Sequence, residues 1–326
     1  MRKAACSLLL FAACGSACGD GAPAGNAPAA AATLEVKPLL ESARVYVDGK
    51  AEPWWRHAPE LVVPLQGPGG PSEVRVRATA DRRRLYLLVQ WTDSQPSYGD
   101  YWKWGAGRVW SMHKGQDGFA ILWGPGAQVD TFREQGCALY CHDDKHGYEA
   151  KSSFADIWFW SAQRSNFLGH LIDSELRFGK NGGLRPDRTK PDTGNIANEN
   201  FEFRGPLYVP MRVDPDPAKL SHRVLFLNNV QRFTLQHQQH LNRQGFEVAA
   251  YVLRPGGGSL ADVQAVGRHE DGTWLVEMAR DLNTEHTDDI PLGDPLVQQW
   301  FSIAVWDGTH GAEHARSGPI ELRFAR

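Results

Sequence analysis

Two thiols and an imidazole stand together once in the chain, in Gly136-Cys137-Ala138-Leu139-Tyr140-Cys141-His142. Cys137 and Cys141 are the only cysteines beyond the first eighteen residues, and His142 follows the second directly. These groups are what covalent haem attachment requires: each thiol adds to one porphyrin vinyl group, and the histidine nitrogen ligates the iron. Three residues separate the cysteines, where two are usual. Two other chemistries use the same groups. Cys137 and Cys141 could close a disulfide in an exported chain, although so short a loop gains little stability and strains the bond. Cys137, Cys141, His142 and His146 could hold a tetrahedral zinc, which would leave the aromatic surroundings of the motif unexplained. One covalent haem c is the expected cofactor, with His142 as its proximal ligand. The other N–H of His142 is expected to meet a carbonyl or carboxylate, such as that of Asp143 or Asp144.

The second axial position is expected from Met112 or His113, which lie just before an apolar strand. Methionine would raise the reduction potential and histidine would lower it. His57, His170, His310 and His314 are the alternatives. Trp110, Trp123 and Trp158 are placed as walls of the haem pocket. His237 and His240 share a helical spacing, but no acidic or thiol partner sits near them, and a solvated polar face explains them. Gly256-Gly257-Gly258 lacks the Lys and Ser/Thr of a phosphate cradle. Asp/Glu pairs occur, and nothing marks any of them as an acid–base couple.

The elements that must position these groups read as strands. Val74 to Ala78 alternates strictly, Leu85 to Trp91 is more apolar, and Asp117 to Trp123 reads as a core strand. Ala155 to Trp160 follows the cysteine motif. A second set comprises Val224 to Leu227, Phe246 to Leu253, Val263 to Arg268, Trp274 to Ala279, Phe301 to Trp306 and Ile320 to Phe324. Arg44 to Val47 alternates into the turn pair Asp48-Gly49. Ser94 to Lys114 reads as a long aromatic loop, and Asn181 to Asn200 as a surface excursion. Arg232 to Gln244 is the one helical possibility. Many short strands with turn signals between them predict an antiparallel sandwich or barrel. Twelve tryptophans suggest a protein that covers something large and flat, and a net charge of −3 argues against a nucleic-acid partner.

The start of the chain reads as an export signal. Arg2 and Lys3 precede a short apolar run, Ser7 to Ala13, too short to span a bilayer. Phe11-Ala12-Ala13-Cys14 resembles a bacterial lipobox, which would make Cys14 the lipidated first residue; a plain secretory signal is the alternative. The expected organisation is a signal peptide over 1–13, a lipidated flexible tether over 14–33, and one haem-binding domain over 34–326. The protein is then periplasmic or associated with the outer membrane through its lipid.

Several segments, in order, resemble the haem subunit of ethylbenzene dehydrogenase and its relatives. They are Val45-Tyr46-Val47-Asp48-Gly49 with Trp54, Trp55 and Ala58; Gln116 to Trp123; Phe132 through the cysteine motif; Ala155 to Trp160 with Arg164; and Ala304-Val305-Trp306-Asp307-Gly308. The resemblance implies an immunoglobulin-like (DOMON-like) antiparallel β-sandwich with long loops enclosing one haem. It implies electron transfer to redox partner proteins, such as other cytochromes or a molybdenum oxidoreductase. Non-covalent relatives use a methionine and a lysine as axial ligands. Here the lysine after Asp307-Gly308 is missing, and Arg316, the nearest cation, stays protonated and cannot ligate. That departure fits an iron held by His142. The contrasting expectation is a ligand-binding module of the same fold, with the aromatic loop as its site and a disulfide or zinc at the motif.

Overall fold

The structure is a computed structural model that describes residues 32–124, 132–134, 136, 154–177, 183–187, 194–202, 204–216, 218–234, 245–293, 298–311 and 313–325. Its strands are, in chain order, β1 (Ala32–Pro38), β2 (Leu61–Pro64), β3 (Glu73–Ala80), β4 (Arg84–Thr92), β5 (Tyr101–Trp104), β6 (Trp110–His113) and β7 (Gln116–Trp123). Then come β8 (Phe154–Ser161), β9 (Ile172–Arg177), β10 (Gly183–Pro186), β11 (Ile196–Ala197), β12 (Tyr208–Pro210), β13 (Leu225–Phe226) and β14 (Val230–Arg232). The last are β15 (Glu247–Ala249), β16 (Tyr251–Leu253), β17 (Gln264–Glu270), β18 (Thr273–Asp281), β19 (Gln299–Thr309), β20 (Ala315–Arg316) and β21 (Ile320–Phe324).

One 13-stranded sheet dominates, in the order β10-β9-β8-β7-β19-β21-β1-β3-β4-β18-β17, with β2 beside β3 and β20 beside β19. Its pairs are antiparallel except that β1 runs parallel to both β21 and β3. The sheet curls until its two halves face each other, which makes it sandwich-like. Period-two alternation explains the curl: Val74, Val76 and Ala78 of β3 point inward while Arg75 and Arg77 reach outward to Glu60. The inward faces meet over large rings. Trp160 of β8 packs edge-on against Trp274 of β18 at 5.0 Å, and Trp91 of β4 lies 5.9 Å from Trp160. Five of the twelve tryptophans, Trp91, Trp123, Trp158, Trp160 and Trp274, belong to this core.

The stretch read as one aromatic loop contains the antiparallel pair β5–β6, which β15 extends into a three-stranded sheet. Glycines mask the hairpin in the sequence; at its turn the Gly105 N–H donates to the Val109 carbonyl (3.0 Å). Trp102 and Trp104 of β5 are buried with Phe246 and Val248 in a second apolar cluster. Asn198, in the stretch read as a surface excursion, is fully buried there. It donates to the Tyr208 and Ala249 carbonyls (2.9 and 2.7 Å) and accepts from the Tyr208 N–H. Phe246 to Leu253 is two short strands rather than one, interrupted at Ala250. Residues 235–244, most of the stretch read as a possible helix, lie outside the described residues; Val230–Arg232 just before it is strand.

Arg44 to Val47 is not a strand. Its turn is held by a side chain instead of a partner strand. Glu277, outward-facing on β18 yet buried, accepts from the backbone N–H groups of Asp48, Gly49 and Lys50 (3.0, 2.9 and 3.3 Å) and from the Trp55 indole (3.0 Å). Burial pushes its carboxyl up to about 7, against the pull of these donors. Glu277→Ala strands three donors, the Lys50 N–H keeping Asp48 Oδ1, and should cost about 3 kcal/mol in urea unfolding, and Glu277→Gln, which keeps one acceptor, should cost less. Equal losses in the two variants would count against this account.

Candidate functional site

Cys137, Cys141 and His142 lie outside the described residues, as do Cys14, His146 and the pair His237 and His240. The chain leading into the motif is described. Phe132 is fully buried beside Leu122, Ala155, Leu176 and Trp300. A Cβ on Gly124 would come within 2.8 Å of its ring, so glycine there lets the phenylalanine seat. Gly136 has φ 55°, and its N–H donates to the Phe132 carbonyl (2.7 Å). A Cβ on Gly136 would stand 2.6 Å from Ser302 Oγ and 3.1 Å from the Pro319 nitrogen. The backbone entering the motif is thus pinned against β19, whose Ser302 pairs with Leu122 near the C-terminal end of β7.

Met112 and His113 sit at the other end of that strand. His113 stacks on Tyr101 with ring centroids 5.1 Å apart and meets Ser111 Oγ at 3.2 Å. Met112 is half-buried in the second cluster, where Trp110 packs against Trp104 (5.1 Å) and Phe233 (6.0 Å). The eight residues of β7 separate this end from Gly136 by about 24 Å at ordinary strand rise. Six residues lead from Gly136 to His142, a reach of at most roughly 20 Å fully extended. The structure therefore does not bring Met112 or His113 to the end where the motif begins. It does bring Trp123 and Trp158 there, their rings 5.0 Å apart and edge to face, but both are core residues. Their indole N–H groups have no hydrogen-bond partner among the described residues. At the same end the Arg133 guanidinium lies 5.6 Å over the Trp300 ring.

The alternative histidines divide clearly. His170 is occupied at both nitrogens: the Gly256 N–H donates to Nε2 (3.1 Å), which leaves Nδ1 to donate to the Leu171 carbonyl (2.7 Å). Burial pulls its pKa down, in keeping with a neutral ring. His314 is buried, stacks 4.5 Å from Trp306 and faces the Gly311 carbonyl. His57 and His310 are exposed or half-exposed.

A family model described as ethylbenzene dehydrogenase matches residues 39–317. The chain belongs to the ethylbenzene dehydrogenase family. No curated protein matches it. Among solved structures it is similar to a Bacteroides uniformis protein described as carbohydrate-binding, at 11% identity and TM-score 0.37, covering 91% of this chain and 100% of that one. It is also similar to a family 9 carbohydrate-binding module from Caldicellulosiruptor kristjanssonii, solved with cellotriose and with glucose. Both of those matches stand at 9% identity and TM-score 0.33, covering 90% of this chain and 95% and 97% of theirs.

In this member of the ethylbenzene dehydrogenase family, the Asp307-Gly308 turn is a bulge in β19 at the Gln116 end of β7. It closes on a buried carboxylate. Asp117 accepts from the Gly308 N–H (2.9 Å), the Ser97 N–H and the Trp274 indole (3.0 Å), and that indole also meets Asp93 (3.0 Å). Burial, and then the Asp93 carboxylate, push Asp117 up to about 7 despite its backbone donors. The acid of the Gln116 to Trp123 segment thus ties the Ser97 loop and the Gly308 bulge to the core tryptophan Trp274.

The sequence did not single out a second buried group of acids. Asp156 of β8, Asp173 of β9 and Asp289 offer oxygens that all lie within 4.8 Å of one another. Arg280 of β18 reaches them from the opposite half of the sheet, at 3.5 Å from Asp156 and 3.1 Å from Asp289, with its guanidinium 5.1 Å over Trp158. Burial pushes Asp156 up to about 6 against the attraction of Arg280, and burial and neighbouring acids raise Asp173 well above the usual carboxylate range. The register held the clue. Asp156, Trp158 and Trp160 alternate with Ala155, Ile157 and Phe159, so an inward Trp158 obliges Asp156 to face inward too.

Proposed function

We propose that the protein is an exported one-haem c-type cytochrome that passes electrons between extracytoplasmic redox partners, anchored to the membrane by a lipid on Cys14. Cys137 and Cys141 would form the thioethers and His142 would ligate the iron. The haem supplies one-electron chemistry when bound. The observation that carries the reading is the donor set itself, two thiols and an adjacent imidazole, in a chain of the ethylbenzene dehydrogenase family whose backbone is pinned at Gly136 just before the first thiol. Arg133 supports it: an exposed cation four residues from Cys137 suits the carboxylates of a haem. Trp300, beneath that guanidinium, is a buried apolar ring whose indole N–H has no hydrogen-bond partner among the described residues. The distal ligand is left to Met112 or His113 only if the motif runs back along nearly the whole of β7. Periplasmic or outer-membrane placement rests on the basic, apolar and lipobox-like start of the chain.

The test is spectroscopic and covalent. The full chain, expressed with a haem-attachment system, should give a pyridine haemochrome band, and its mass should rise by one porphyrin. Cys137→Ser with Cys141→Ser should abolish both. A colourless wild-type protein with a mass two hydrogens short would overturn the reading in favour of a disulfide.

A further inference from the structure

The haem reading makes no use of the acids inside the sandwich. We propose that Asp156, Asp173, Asp187 and Asp289 bind one divalent cation, Ca2+ by ligand type, at the end of the core spanned by β8, β9 and β18. Four carboxylates meet one guanidinium there, so the cluster carries excess negative charge in a place water barely reaches. Asp156 and Asp173 are 0% exposed and Asp187 is 3% exposed.

What separates this cluster from an ordinary acidic patch is its unpartnered oxygens. Both carboxylate oxygens of Asp187 are buried without a hydrogen-bond partner among the described residues, as are Asp156 Oδ1 and Asp173 Oδ2. Asp187 is held beside Asp173 by its own N–H, which donates to the Asp173 carbonyl (3.3 Å). The charges of Asp156, Asp288, Asp289 and Glu175 all act on its carboxylate. Arg280 satisfies other atoms: it faces Oδ2 of Asp156 and Oδ2 of Asp289. Buried acceptors are ordinarily paired, and four orphaned carboxylate oxygens on three neighbouring acids call for a cation or for protons.

Ligand type favours a hard cation. The donors are all oxygen, and Ca2+ takes such ligands in flexible geometry where Mg2+ demands a near-ideal octahedron and keeps its waters. A way in also exists. Asp262, His286 and Asp289 form a second trio within the same limit, with His286 partly exposed, so donors run from the surface to the shared Asp289. Ser259, and Thr284 through its hydroxyl, hold the Asp289 carboxylate in place.

The experiment uses the full chain, stripped with EDTA, at about pH 8 and at about pH 5. Millimolar CaCl2 should raise the melting temperature by roughly 5 °C or more at the higher pH and much less at the lower one, where protons compete. One calcium per chain should remain after gel filtration at the higher pH. Without cation Asp187 still holds its proton at pH 8, so Asp187→Asn exchanges one neutral group for another and should fold with a melting point in EDTA close to that of the wild type, yet lose the calcium shift. No shift and no retained calcium at pH 8 would overturn the proposal and leave protons as the partners of these oxygens. A full shift in Asp187→Asn would overturn the ligand assignment. The same measurements on the Cys137→Ser, Cys141→Ser protein keep this outcome separate from that of the haem.

Discussion

Replacing Arg280 with leucine should cost about 3–5 kcal/mol at pH 8 in the presence of chelator, and clearly less at pH 5. Arg280 is fully buried, and it is the cation that reaches Asp156 and Asp289 while also donating to the Ile290 carbonyl (3.2 Å). Burial alone would lower its pKa, but the carboxylates of Asp156, Asp173, Asp289 and Asp262 hold it up. Leucine fills similar space against Trp158 but leaves those acids with no counter-charge. At high pH they must stay ionised against one another or take up protons at a cost; at low pH the protons are freely available. Urea unfolding of both proteins at the two pH values measures the difference. A loss that is the same at both would mean that packing on Trp158, rather than charge, is what Arg280 contributes.

The wild-type protein without cation should be most stable near pH 4–5 and lose stability, on the order of several kcal/mol, as the pH rises to about 9. The sign follows from where the protons sit. Unfolded, these carboxyls release theirs near pH 4. Folded, Asp156 holds its proton to about 6, Asp117, Asp262 and Glu277 to about 7, and Asp187 to about 9, burial being the largest cause in each. Between those limits the native state binds more protons than the unfolded chain, so unfolding releases them and rising pH favours it. Below about pH 4 the opposite group takes over: Asp281, held down by Arg84 and Arg83 against slight burial, loses those partners on protonation. Melting temperatures across this range give the profile. A flat or rising curve between pH 5 and 8 would show that these acids are ionised and compensated when folded.

Much of the sheet was legible from short patterns. Val74 to Ala78 was betrayed by strict alternation, and Leu85 to Trp91 and Asp117 to Trp123 by short apolar runs; these and Ile320 to Phe324 all fall inside strands. Arg44 to Val47 shows the same alternation and is not a strand, since its turn is claimed by Glu277, a residue distant in sequence that no local pattern can announce. The β5–β6 hairpin was hidden by its glycines. Five of the twelve tryptophan rings fill the space between two halves of one curled sheet, a use of bulk that composition alone does not announce. Membership of the ethylbenzene dehydrogenase family was legible from short motifs in order. The acid cluster was not, because Asp156 reads as one polar residue in an aromatic strand, and only the curl sets it opposite Arg280.

The placement of β1 bears on how the fold withstands a pull. Ala32 to Val36 pair in parallel with Ile320 to Phe324, and Val36 to Pro38 pair in parallel with Ala78 to Ala80. A load applied to the chain ahead of Ala32 acts along the axis of a strand clamped on both sides. Its rungs must then shear together rather than unzip one by one.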